Sequence, residues 1–151
     1  MLTVNSLTKT ILLADDDADD RLLFEEALKE VAEYSKLTTA KDGEHLMEIL
    51  HTRKEGTPDV IFLDLNMPLK NGFECLRQIK ESHIFKDIPV IVYSTSCQHE
   101  SIQKTYEQGA SYYICKPNTY QKLIKSIQHI FSVQPADLNS KPPFEDFVIA
   151  Y

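Results

Sequence analysis

Four short runs of apolar residues punctuate the chain, and each is continuous rather than alternating with polar residues. They occupy residues 11–14, 60–63, 90–93 and 112–115. Continuous apolar runs of this length are typical of strands that are buried on both faces, as in a parallel sheet. A fifth run, residues 36–40, is β-branched and more polar, which predicts a strand at the edge of the sheet.

Between these runs, apolar residues recur at the three- and four-residue spacing of amphipathic helices. These helical patterns lie around residues 24–31, 46–50, 73–79, 102–109 and 123–131. Strand and helix therefore alternate, which implies right-handed crossovers and a parallel sheet with helices on both faces. We predict an α/β, flavodoxin-like, doubly wound sheet of five strands in the order 2-1-3-4-5 with five helices, filling residues 8–131.

Composition narrows the class of protein. The 151 residues include 16 basic and 23 acidic side chains, for a net charge of −7, which argues against direct binding of nucleic acid. No segment resembles a signal peptide or a membrane span, so no membrane partner is expected. The cysteines, Cys75, Cys97 and Cys115, are odd in number and form no CxxC pair, which predicts free thiols in a reducing cytoplasm.

The segment of residues 132–151, which we name the tail, departs from this pattern. It contains three prolines and an apolar stretch at residues 144–151, and it is too short to form an output domain. Such an apolar stretch is poorly suited to free solvent. We expect the tail to pack back on the domain or to complete a homodimer, with docking on a partner as a third alternative.

Polar residues directly follow the predicted strands. The residues at these positions are Asp15, Asp16 and Asp17 after the first strand, Asp64 after the third, Ser94 and Thr95 after the fourth, and Lys116 after the fifth. Ligands of open α/β sheets bind outside the carboxyl ends of the strands. We therefore expect these side chains to line one crevice.

The chemistry of that crevice points to phosphate. Neighbouring carboxylates repel one another unless a cation is present, and Mg²⁺ prefers oxygen ligands of this kind. Lys116 and Ser94 would offer an incoming phosphoryl group a point charge and a hydroxyl donor. Because the sequence contains no glycine-rich phosphate loop, a bound nucleotide is not indicated. What remains is a carboxylate that accepts a phosphoryl group.

Four segments, in this order, resemble the receiver domain of two-component response regulators. They are LADD at residues 13–16, IFLDLNMP at 61–68 with Gly72 after it, PVIVYST at 89–95, and YICKP at 113–117. The resemblance covers residues 8–131 and implies a single-domain, chemotaxis-regulator-like response regulator in the cytoplasm. Its partners would be a sensor histidine kinase or phosphotransfer protein and a downstream protein target. It would not be an enzyme beyond its own phosphorylation and autodephosphorylation.

The resemblance also implies roles for individual residues. Asp64 would be the phosphoacceptor. Mg²⁺ would be held by Asp15, Asp16, Asp64 and the backbone carbonyl of Asn66. Lys116 would contact the phosphoryl group. The peptide bond between Lys116 and Pro117 would be cis.

A switch follows from the same resemblance. Ser94 would rotate inward to bind the phosphoryl group, and Tyr113 would follow as the aromatic switch residue. The fourth helix, fifth strand and fifth helix would then present the altered surface. Thr95 departs from the family, which has a very small residue there, and its bulk predicts slow autodephosphorylation. Asn66 and Ser96 occupy positions that tune the attack of water in this family, and neither is an evident base.

Three other interpretations compete with the receiver. Asp15, Asp17, Asp19 and Glu26 have the spacing of a calcium loop, but Asp20 stands where that loop needs glycine. The same acidic run resembles phosphatases of the haloacid-dehalogenase type, which would use Asp15 as the nucleophile. The third alternative is a receiver-like binding module that works without phosphorylation. Within the acidic run, we expect Asp17 to be an exposed acid at the start of the first helix.

Overall fold

The computed structural model describes residues 9–151, and its elements alternate between strand and helix. The elements in chain order are β1 (Thr10–Ala14), α1 (Ala18–Val31), β2 (Lys36–Ala40), α2 (Gly43–Thr52), β3 (Val60–Leu63), α3 (Gly72–Glu81), β4 (Val90–Ser94), α4 (His99–Glu107), β5 (Tyr112–Cys115), α5 (Tyr120–Ser132), α6 (Pro135–Leu138), α7 (Phe144–Phe147) and β6 (Val148–Ile149). Within this part of the chain, no helix has both the length and the hydropathy that a membrane crossing requires.

All strands run parallel in one sheet with the order β2-β1-β3-β4-β5-β6. The predicted fold class and the order of the first five strands are confirmed. The register aligns Ala14 with Leu63, and Ser94 with Cys115, so the carboxyl ends of β1, β3, β4 and β5 lie along one edge. The residues that follow these strands are therefore brought together.

The two faces of the sheet are covered by different helices, which explains why its strands are apolar throughout. Leu12 and Ile61 point to the face covered by α2, α3 and α4. Their neighbours Leu13 and Phe62 point to the face covered by α1 and α5. Because successive side chains alternate between faces, a strand covered on both sides needs an apolar residue at each position.

Side-chain caps fix where most of the long helices begin. The N-cap residues are Asp17 for α1, Asp42 for α2, Asn71 for α3 and Thr119 for α5. Each accepts a hydrogen bond from a backbone N–H of the first turn, which has no partner within the helix. Asp17 accepts from Asp19 and Asp20 at 2.9 and 3.1 Å, so its predicted place as an exposed acid at the start of the first helix is confirmed.

The tail packs back on the domain and adds elements that the sequence did not predict. β6 pairs with β5 through the Tyr113–Val148 and Ile114–Ile149 registers, and α6 and α7 are single turns. The prediction of five strands and five helices is therefore wrong in number. A two-residue strand and four-residue helices are too short to leave a periodic pattern.

The cysteines also depart from the prediction, because Cys97 and Cys115 form a disulfide. Cys75 is free and fully buried in α3. The paired residues are 18 apart in sequence, but the parallel alignment of β4 and β5 brings their Cα atoms to 5.7 Å. Sequence spacing alone does not reveal that approach. With this pair closed, cysteine usage no longer indicates a reducing compartment.

We expect the unreduced chain, unfolded in denaturant, to present one reactive thiol, and three after reduction. Burial raises the pKa of the Cys75 thiol to about 11, so it should not react until the chain unfolds. Alkylation followed by intact-mass measurement counts the thiols, and Cys75→Ser should abolish labelling of the unreduced chain. Three reactive thiols before reduction would contradict the Cys97–Cys115 bond.

Candidate functional site

Three carboxylates meet at the carboxyl edge of the sheet. Asp15 and Asp16 follow β1, Asp64 follows β3, and one ligand atom of each lies within 4.8 Å of the others. Asp15 is fully buried and Asp64 is 5% exposed, whereas Asp16 is open to solvent. The predicted acidic crevice is present, with two of its carboxylates held against the core and one at the rim.

Lys116, which follows β5, lies among these carboxylates. Its Nζ is 2.8 Å from Asp15 Oδ2 and 3.6 Å from Asp64 Oδ2. A third partner is Asp20, whose Oδ2 is also 2.8 Å from the ammonium. In the sequence, Asp20 stands out only as the wrong residue for a calcium loop. Asp20 lies in the first turn of α1, which begins soon after β1 ends. Its side chain is therefore still close to the ends of the strands.

Burial and the neighbouring charges have opposing effects on the pKa values of the site residues. Desolvation raises the pKa of Asp64 to about 6, the nearby Lys116 charge opposes that rise, and the Asp15 charge adds to it. Desolvation also raises the pKa of Asp15, against its contacts with Lys116. Burial lowers the pKa of Lys116, but hydrogen bonds to Asp15 and Asp20 outweigh this and raise it overall. At neutral pH the lysine is charged and Asp64 is mostly ionised.

The donor set suits a hard divalent cation. Asp15 Oδ2 is buried, and the Lys116 ammonium lies 2.8 Å from it as its charged partner. One ammonium cannot neutralise Asp15, Asp16, Asp20 and Asp64 together. A buried oxygen without a full set of partners is costly, and a cation bound by carboxylate oxygens removes that cost. Asp15, Asp16 and Asp64 are the residues placed to hold it.

The loop after β3 holds Asp64 in place. Gly72 donates its N–H to the Leu65 carbonyl at 2.9 Å, which draws the start of α3 against the strand end. A Cβ at Gly72 would lie 2.3 Å from the Asp64 carbonyl oxygen, so only glycine fits there. Asn66 is exposed in this loop, and its N–H reaches Asp64 Oδ1 at 3.4 Å. A metal contact from the Asn66 carbonyl stays a prediction.

The hydroxyl residues of the predicted switch lie on and after β4. Ser94 is fully buried, and its Oγ accepts the Ser96 N–H at 3.1 Å. Tyr113 is fully buried in β5 and donates its hydroxyl proton to the Ser96 carbonyl. Thr95 is exposed next to them. Tyr113 is thus both a core aromatic and a hydrogen-bond partner of the loop after Ser94.

One further expectation is wrong, and one of the competing interpretations is excluded. The described residues contain no cis peptide bond, so the bond before Pro117 is trans, which is the ordinary preference even before proline. A calcium loop is not formed either, because α1 begins at Ala18 and takes up most of its twelve positions. The Asp17 carboxylate caps the N-terminus of that helix, and Glu26 is exposed on the helix surface.

Comparison with known proteins identifies the family. The family model for the response regulator receiver domain matches residues 11–128. The chain belongs to the response regulator receiver family. Response regulator Rcp1 of Synechocystis is 35% identical over 128 residues, which cover 82% of this chain and 87% of Rcp1. Chemotaxis protein CheY of Pseudomonas aeruginosa is 28% identical over 121 residues, covering 80% of this chain and 94% of CheY.

Solved receiver structures are similar to this fold. The Mn(2+)-bound form of Rcp1 has a TM-score of 0.74 at 35% identity, covering 82% of this chain and 92% of that one. The phosphorylated cyanobacterial phytochrome response regulator RcpA has a TM-score of 0.76 at 34% identity, covering 82% of this chain and 91% of that one. As a receiver, this chain accepts a phosphoryl group and transmits a signal in a two-component system.

The burial of Asp64 predicts how stability depends on pH. Raising its pKa from 3.8 to about 6 makes ionisation cost up to about 3 kcal/mol in the folded state. Asp64→Asn should therefore raise the free energy of unfolding at pH 7. The gain should shrink as the pH falls through about 6 and vanish below about 3, where wild-type Asp64 is protonated in both the folded and the unfolded state. Urea unfolding in chelated buffer measures this.

The control for that series is Glu33→Gln, at an exposed position on the chain surface. It should leave the pH profile of the wild type unchanged. An Asp64→Asn variant whose stability tracks the wild type at every pH would show that burial of this carboxylate carries no ionisation cost.

Proposed function

We propose that Asp64 is the phosphoacceptor of this receiver and that Mg²⁺ supports the transfer. The placement of Asp64 carries this proposal. It is the carboxylate that is held by the core yet still reaches solvent, with the Lys116 ammonium 3.6 Å away. Asp15, the nucleophile of the phosphatase alternative, is instead fully buried and paired with Lys116 at 2.8 Å.

The transfer is a single displacement at phosphorus. A carboxylate oxygen of Asp64 forms the new O–P bond as the N–P bond to the donor imidazole of a histidine kinase or phosphotransfer protein breaks. The imidazole leaves with the electron pair. Because the pKa of Asp64 is about 6, the attacking carboxylate is mostly ionised at neutral pH. Lys116 lies where it can pair with a phosphoryl oxygen on Asp64.

Asp15, Asp16 and Asp64, with the backbone carbonyl of Asn66, would hold the Mg²⁺. An ion held there would supply positive charge beside the phosphoryl oxygens. Mg²⁺ keeps several waters and takes one or two carboxylates. The buried Asp15 and Asp64 would be the two carboxylates in direct contact, and Asp16, which faces solvent, would act through a retained water.

The switch would run from Ser94 to Tyr113 and on to the surface of α4, β5 and α5. Phosphorylation would add a charge of about −1.5 to −2 on Asp64, and such a charge can shift a surface between two conformations. A sensor histidine kinase or phosphotransfer protein would supply the phosphoryl group in the cytoplasm, and a downstream protein would read the result. A second copy of the chain, in a homodimer, is a further partner that we propose. Beyond its own phosphorylation and autodephosphorylation, we propose no catalytic activity.

Incubation with Mg²⁺ and acetyl phosphate should add one phosphoryl group to the wild type. Measurement of the intact mass of the protein detects this group. Asp64→Asn should take up none, because the attacking oxygen is gone, and a chelated sample should remain unlabelled. Asp16→Asn is the matched variant at the rim, which should slow labelling without abolishing it. Labelling that survives Asp64→Asn but fails in Asp15→Asn would contradict this proposal and favour the phosphatase chemistry.

Thr95 predicts a long-lived phosphorylated state, because its bulk next to Ser94 restricts water at the acyl phosphate. Thr95→Ala should shorten the half-life several-fold, and Thr95→Val, which keeps the bulk, should not. The measurement is loss of label after the donor is removed by desalting. A wild-type half-life of seconds, or equal lifetimes for the alanine and valine variants, would show that size at this position does not control hydrolysis.

A further inference from the structure

Phe147, at the end of α7, is the tail residue that reaches the predicted switch. Its side chain is fully buried, although it lies sixteen residues beyond where the predicted domain ends. Its ring centroid is 6.2 Å from that of Tyr113 and 5.0 Å from that of Tyr106 in α4, both in edge-to-face contact. An aromatic edge packed against a fully buried ring restricts where that ring can go.

Independent contacts hold the tail at this place. The Tyr106 hydroxyl donates to the Pro142 carbonyl at 2.7 Å, and the buried Ser111 hydroxyl donates to the Leu138 carbonyl at 2.6 Å. Immediately after Phe147, β6 pairs with β5 in the register that sets Val148 beside Tyr113. The tail is therefore anchored on both sides of Phe147, and Tyr113 cannot swing outward without displacing it.

Tyr113 in turn connects this contact to the phosphorylation site. Its hydroxyl donates to the Ser96 carbonyl, and the Ser96 N–H donates to Ser94 Oγ at 3.1 Å. A serine hydroxyl that accepts this N–H still has one proton, which it can donate to an acceptor such as a phosphoryl oxygen. A Tyr113 ring fixed by Phe147 thus fixes the loop that orients Ser94.

We propose that Phe147 is a positioning residue for phosphoryl acceptance. It acts through Tyr113 and Ser96 to hold Ser94 in the orientation that receives the phosphoryl group. The docked tail and the phosphorylated state therefore stabilise each other. This inference rests on the proposed function, since it takes Asp64 as the phosphoacceptor.

The tail offers a matched control in Phe144, one helical turn before Phe147. It also packs against Tyr106, at 5.1 Å between centroids, but it is 38% exposed and makes no ring contact with Tyr113. Phe147→Ala and Phe144→Ala both remove an aromatic ring from the same segment. Only the first removes the contact with the switch residue. Phe147→Leu keeps an apolar side chain against Tyr113 and serves as the rescue variant.

The test measures how fast acetyl phosphate labels the protein in the presence of Mg²⁺. The labelled fraction is read from intact mass at several concentrations of acetyl phosphate. We expect Phe147→Ala to lower the maximal rate about fivefold, with Phe144→Ala near wild type and Phe147→Leu closer to wild type than the alanine variant. Circular dichroism and thermal unfolding confirm that each variant is folded.

A second measurement needs no substitution in the tail. Coupling is reciprocal, so beryllofluoride, a phosphoryl mimic, with Mg²⁺ should slow hydrogen exchange of the Val148 and Ile149 amides. The same additions to Asp64→Asn should leave those amides unchanged.

The outcomes separate this inference from the function on which it rests. An unlabelled wild type would overturn the proposed function itself. A labelled wild type with Phe147→Ala at the same or a faster rate, or with all three tail variants slowed equally, would overturn only the role of Phe147. Unchanged exchange in β6 when the wild type binds beryllofluoride would overturn the coupling, whatever the variants show.

Discussion

The ion pair between Lys116 and Asp15 is the contact around which the site is arranged. Both residues leave the sheet at its carboxyl edge, from strands separated by β3 and β4, and their charged atoms meet at 2.8 Å. A buried ammonium needs partners, and a buried carboxylate raises the pKa of its neighbours. Asp15, Asp20 and Asp64 supply the partners, and Lys116 keeps two buried carboxylates compatible with a folded core.

Much of this arrangement could be predicted from the sequence, for a physical reason. Strands covered on both faces must be apolar throughout, so their ends are sharply marked, and parallel strands bring those ends to one edge. The sequence alone therefore predicts that Asp15, Asp64 and Lys116 lie together. Asp20 was missed because it belongs to a helical turn rather than a strand end.

The parts that were not predicted depend on the close approach of distant segments. The Cys97–Cys115 bond depends on the alignment of β4 with β5, and no local pattern marks that alignment. β6 has two residues, so pairing with β5 defines it and periodicity does not. Phe147 likewise appears in the sequence as one apolar residue of a proline-rich segment, and only its packing distinguishes it from Phe144.

The addition of β6 also changes what the sheet offers to other chains. A sheet that ended at β5 would expose the unpaired backbone of an apolar strand, which is a template for edge-to-edge association. Here that border strand is paired with β6, which has only two residues. At the opposite edge, β2 begins with an exposed lysine, Lys36. Both border strands are thus short or begin with a charge, which disfavours edge-to-edge pairing between the sheets of two receivers.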